Sequence, residues 1–240
     1  LLTFMPSLFS RLTGGADHPD VATYRAARAA GKSWCKKIIA RADALGFELE
    51  SAARKLPLSF EGKTLIFEDE IEQPALVDFC LFDYRPKGKS LAESCVFAPG
   101  DLSPLESEVH RDKLDSRTSL FEVCAVHAEQ PKMLLRDRLN PAAPDLWLTD
   151  LSLSATFRRL DRKVFIFTRA IAHHSIHYTG GFSFIFEEKS GTALIDEYRR
   201  AMWSVPVPLR DRRRTGWFLH RNRQHGLPQA GADVAPPSAP

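Results

Sequence analysis

The densest group of possible metal ligands in this 240-residue chain is His173, His174 and His177. Imidazole nitrogens take up zinc and its neighbours in the first transition row, and a catalytic zinc usually holds three protein ligands with one position left open. The flanking residues read as strand rather than helix. On a strand, positions 173 and 177 fall on one side but stand about 13 Å apart, so one ion is shared only if the chain turns near Ser175. No carboxylate neighbours the group in sequence, so a further ligand must come from a distant segment.

Three carboxylates lie in or beside the most apolar stretch of the chain: Asp78, Asp83 and Glu93. A carboxyl in apolar surroundings can acquire a raised pKa suited to acid or base work. Asp78 and Asp83 are about 140° apart around an α-helix, which argues against a working pair. The expected roles are structural, with Asp83 paired to Arg85 and Glu93 serving as a helix cap. Gly-Lys-Ser or Gly-Lys-Thr occurs at 31–33, 62–64 and 88–90. A phosphate loop needs a glycine five positions earlier, where this chain has Ala26, Pro57 and Asp83, so all three read as turns. No serine sits in a G-x-S-x-G elbow, and Cys35, Cys80, Cys95 and Cys124 show no paired spacing, which reads as reduced, mostly buried thiols.

A third chemistry belongs to the basic end. Arg210, Arg212, Arg213, Arg214, Arg221 and Arg223, interleaved with Trp217 and Phe218, have the composition of a segment that grips a phosphate backbone and stacks bases. Residues 205–240 carry six arginines against two aspartates, which leaves the other 204 residues of this +3 chain near −1. Any attraction to nucleic acid would therefore reside in that segment.

The residues that must position these groups follow two periodicities. Residues 20–45 suggest two helices, or one with a weak point at Gly31, and 49–56 a further turn or two. Phe60–Phe67 reads as a turn and a short strand. Pro74–Tyr84 is a helix apolar around most of its circumference, stopped by Pro86. Ser90-Leu-Ala-Glu93 and Ser103-Pro-Leu-Glu106 are capping boxes opening helices at 90–97 and 104–115. The period then changes from 3.6 to 2, with strands at 119–126, 132–139, 145–149, 164–170 and 177–186. A helix over 192–203 follows.

The expected architecture is α+β: a helical N-terminal half, then a small, strongly curved antiparallel sheet or a partial barrel of the SH3 or OB kind. The expected division is a helical extension at 1–56, a core at 57–204, and a disordered basic tail at 205–240.

Ala75-Leu-Val-Asp-Phe-Cys-Leu-Phe-Asp-Tyr-Arg-Pro-Lys-Gly-Lys-Ser90, Thr118-Ser-Leu-Phe-Glu-Val123, Leu135-Arg-Asp137 and Tyr178-Thr-Gly-Gly181 follow one another in an order that resembles an uncharacterised domain of bacterial proteins. That domain often accompanies a SEC-C zinc-chelating motif. The resemblance covers about 70–187 and implies a fold more than a function. The Cys-x-Cys of the zinc motif does not occur in this chain, so its zinc role is not carried over.

With 44% hydrophobic and 26% charged residues, the composition is that of a globular protein, and no stretch approaches the roughly 20 apolar residues of a membrane-spanning helix. The apolar run Leu1–Phe9 lacks the basic start and small-residue site of a signal peptide. These features lead to the expectation of a soluble, cytoplasmic, non-enzymatic binding or interaction module that needs no cofactor and has an unidentified protein partner. Two alternatives stand beside it: a metal-assisted hydrolase using His173, His174 and His177, and a nucleic-acid binder acting through its arginine-rich end.

Overall fold

A computed structural model describes residues 18–160 and 162–227. The run Leu1–Phe9 lies outside them. Helix α1 (Pro19–Ile39) starts where Pro19 needs no partner for a missing N–H and where the His18 ring accepts from the Asp20 amide. Gly31 does not interrupt it. A Cβ there would stand 3.1 Å from Cε of Lys113, so this glycine makes room for a buried lysine stem. Trp34 and Ile38 are fully buried on the same helix.

After α2 (Leu49–Ala53), strands β1 (Ser59–Glu61) and β2 (Thr64–Ile66) form a hairpin around Gly62, whose φ of 61° favours glycine. Helix α3 (Glu72–Asp78) runs on into a π-helical turn, Phe79–Asp83, closed by the Tyr84 amide donating to the Phe79 carbonyl at 2.8 Å. Both capping boxes form. In α4 (Leu91–Ser94) and α5 (Pro104–Leu114), the Ser90 and Ser103 hydroxyls accept from the Glu93 and Glu106 amides, and each glutamate accepts from its serine's amide at 2.7 Å.

The five expected strands all form: β3 (Arg117–Val126), β4 (Lys132–Asp137), β5 (Leu146–Thr149), β6 (Val164–His173) and β7 (Ile176–Glu187). They close into a barrel in the order β3-β4-β5-β7-β6. The class is α+β as expected, but the sheet is mixed and closed rather than antiparallel and partial. β5 and β7 run parallel, with Leu148 opposite His177. A period of two marks a strand without giving its direction, and a parallel neighbour is reached only by a crossover, here through α6 (Leu151–Phe157) and β6.

Inside the barrel, Phe121, Val123, Met133, Leu135, Leu148, Val164, Ile166 and Ile185 pack with Phe157 from α6. Outside it, Phe165, Phe167, Phe182, Phe184 and Phe186 are covered by α2, α3, α7 (Glu188–Met202) and α8 (Val207–His225). With both faces covered, β6 and β7 read as nearly continuous apolar runs. Tyr24, Ala27 and Ala30 of α1 pack with Ile171, Ile176 and Tyr178 of the barrel, so this helix shares the core of the segment that follows it.

Helix α8 corrects the expectation of disorder from residue 205 onward. Thr215, Phe218, Leu219 and Asn222 recur at i, i+3, i+4 and i+7, and all four are buried. Phe218 stacks on Phe167 with ring centroids 4.2 Å apart. Residues 228–240 of the expected tail lie outside the described residues.

Helix α7 approaches the barrel at Gly191, where a Cβ would stand 2.3 Å from Cδ2 of Phe165. Gly191→Ala is expected to destabilise the protein by about 2 kcal/mol, overpacking outweighing the gain in helix propensity. Urea unfolding tests this, and a variant as stable as the parent would show that the ring moves aside freely.

Candidate functional site

Arg169, on β6, is buried, and every face of its guanidinium is engaged. Nε donates to both Asp78 carboxylate oxygens at 3.0 Å, Nη2 to Asp83 Oδ1 at 3.0 Å and Nη1 to the Ser116 carbonyl at 3.2 Å. Its Cζ lies 4.3 Å from the Phe82 ring centroid. The π turn explains how two aspartates five residues apart reach one guanidinium. Its wider winding carries Asp83 around toward Asp78, a placement that α-helical geometry does not give. Gly180 completes the arrangement, because a Cβ there would stand 2.8 Å from the Arg169 Cβ and 3.1 Å from Asp78 Oδ1.

The expected Asp83–Arg85 pair is therefore not present. Asp83 instead accepts from Arg169 and, at 2.8 Å, from the Thr215 hydroxyl of α8, while Arg85 pairs with Glu93 at 2.7 Å. Glu93 is the capping residue the sequence indicates. Burial pushes the Asp78 carboxyl up, to about 6, against the pull of Arg169. Lys113, also buried, is held down at about 8 by its burial, with Asp78 opposing.

Beside this cluster opens a cleft of about 580 Å³, lined by the start of β3, the end of β4, the π turn, the N-cap of α4 and the first turns of α8. Five arginines face four carboxylates in its wall. Three of the arginines are committed to the fold: Arg169 and Arg85 as described, and Arg214, which donates to the Thr118 carbonyl at 2.6 Å and the Tyr198 hydroxyl at 3.2 Å and pairs with Asp211.

The other two are available to a ligand. Arg212 lines the cleft without a hydrogen bond or ion pair to the described residues. Arg117 has a 55% exposed side chain, donates to Asp137 at 3.2 Å, and has the side-chain amide oxygen of Asn140 within 3.0–3.1 Å of its two terminal nitrogens. Asp137 is already satisfied by the Ser119 hydroxyl and by the Leu139 and Asn140 amides at 3.0 and 2.9 Å. Arg117 can therefore turn to a ligand without stranding a buried carboxylate. A planar guanidinium matches carboxylate and phosphate oxygens two at a time.

The arginines singled out in the basic end serve the fold more than a partner. Arg210 donates to the Val205 and Trp203 carbonyls, Arg221 pairs with Glu197 at 3.1 Å, and Arg223 binds Glu72 and Glu68. Phe218 is buried and Trp217 packs on it and on Tyr198, so Phe218 cannot stack a base. Arg213 is exposed.

The histidines divide. His173 is buried with Nδ1 2.7 Å from Asp112 Oδ2, and His174 is exposed with Nε2 3.2 Å from Glu108 Oε2. The chain turns at 174–175 as a shared ion requires, yet Ile176, not His177, lies opposite His173. His177 pairs with Ala172 and so faces the other side of the ladder. Glu108 is the carboxylate from afar, and nothing in the sequence singles it out among the acidic residues of α5.

Of the Gly-Lys-Ser/Thr strings, those at 62 and 88 are in turns and that at 31 is inside α1. The four cysteines are free thiols: Cys80 and Cys95 are buried, Cys35 is half-buried, and Cys124 is exposed. Among the described residues no helix is long and apolar enough to cross a membrane. No curated protein and no solved structure matches this chain. The model of a family of unknown function, DUF7986, matches residues 18–230, and the chain belongs to that family.

Proposed function

We propose that this protein is a non-enzymatic binding module whose cleft takes an anionic ligand through Arg117 and Arg212. The observation that carries this reading is the uneven commitment of the arginines in one cleft. Three are tied into the fold, while Arg212 has no partner among the described residues and Arg117 is bound to a carboxylate that does not need it. The strand order supports the same class. Counted from β3, the order is first, second, third, fifth, fourth, with the third and fifth strands parallel, as in the OB barrel, an architecture used widely for ligand binding.

Isothermal titration calorimetry with inorganic pyrophosphate and with citrate tests the proposal. At least one is expected to bind at submillimolar concentration, and Arg212→Ala or Arg117→Ala to weaken it roughly tenfold or more, the worth of a charged hydrogen bond. Binding that neither substitution alters, or no binding of either anion, would overturn the assignment of this cleft.

A further inference from the structure

The hairpin joining β6 to β7 and the outer face of α5 carry a second group of ligand atoms, independent of the cleft. Glu108, His173 and His174 each offer one atom, and these atoms lie within 4.8 Å of one another. We infer that Glu108, His173 and His174 form a binding site for a divalent transition metal ion of the zinc class. Two imidazoles and a carboxylate suit zinc, and three protein ligands leave a position for water.

Two further observations point to a built site rather than a chance surface pair. The first is Asp112, which holds Nδ1 of the buried His173 ring at 2.7 Å. A carboxylate behind a metal-bound histidine fixes the ring and makes its other nitrogen a better ligand. Glu108 and Asp112 are one helical turn apart on α5, so one face of that helix supplies both the ligand and the group that orients a ligand. The second is His174, whose φ of 49° makes it the one non-glycine with positive φ among the described residues. That conformation places its imidazole beside the His173 ring, with centroids 4.2 Å apart, and within 3.2 Å of Glu108. Histidine is among the few residues that tolerate this region, and strained backbone persists where a local geometry requires it.

His174 is 61% solvent-exposed, so the ion enters from solvent and settles against the buried ring beneath. Its chemical effect is to clip α5 to the β6–β7 hairpin.

The test is equilibrium dialysis of the untagged full chain against Zn²⁺, with metal counted by elemental mass spectrometry, and the visible d–d spectrum after Co²⁺ loading. One ion per chain is expected, with a tetrahedral cobalt spectrum. His174→Ala, at an exposed position, is expected to abolish both, His177→Ala to leave both intact, and Asp112→Asn to lower affinity about tenfold to a hundredfold while keeping the cobalt signature. Circular dichroism of each variant verifies the fold. Zinc below one equivalent, binding that survives His174→Ala, or binding lost with His177→Ala would overturn the site. A cobalt spectrum without tetrahedral character would do the same.

Discussion

Arg169→Met is expected to destabilise the protein by about 3–5 kcal/mol, because it leaves the buried Asp78 and the half-buried Asp83 without their counter-charge. The loss arises from desolvation. Asp78 accepts two of the Arg169 hydrogen bonds and is buried, whereas Asp83 keeps the Thr215 hydroxyl. Adding Asp78→Asn to the methionine variant removes the worse stranded charge and is expected to recover part of the loss. Urea unfolding of the parent and both variants measures this, with a double variant more stable than Arg169→Met as the diagnostic result. A loss below about 1 kcal/mol for Arg169→Met would mean that water reaches the cluster and that it does not lock the π turn.

Phe218→Ala is expected to cost a similar amount, about 3–5 kcal/mol, the usual range for removing a fully buried phenylalanine. Phe218 lies among Phe167, Phe186, Tyr198 and Trp217, and it joins α8 to the outer face of the barrel. A disordered segment would register no change at all, so thermal unfolding of this one variant separates a packed helix from a solvated tail.

Much of the architecture is legible in local chemistry. Both capping boxes state where α4 and α5 begin, and the runs of strand-forming residues locate β3 to β7 to within a few residues each. What local chemistry omits is direction and partnership. The parallel pairing of β5 with β7 depends on a connection that no single segment contains. Helix α6 carries a local signal in Asp150, which caps it by accepting from the Ser152 and Leu153 amides. Helix α8 carries one in its 215, 218, 219, 222 stripe, set among prolines and arginines that resemble a disordered segment.

The sites divide in the same way. Two of the three histidines come together because the turn between β6 and β7 is short, whereas Glu108 and Asp112 arrive from 61 or more residues earlier in the chain. The arginines of the cleft come from four separate segments, and which of them are spent on the fold depends on partners far off in sequence. The π turn is the clearest case. Helical arithmetic sets Asp78 and Asp83 apart, and a single widened turn reverses the result.

The barrel's closure has a consequence for the order in which it opens and shuts. β6 pairs with β7 along most of its length, and β3 with both β4 and β6, whereas β5 meets β7 at the single register Leu148–His177. The backbone around His177 is thus the latch of the ring. A short non-local seam forms after the hairpins that bring its strands together, and it offers the fewest bonds to break. Amide protons flanking Leu148 and His177 are accordingly expected to exchange with solvent ahead of those in the β6–β7 ladder, an order that hydrogen exchange read by NMR tests directly.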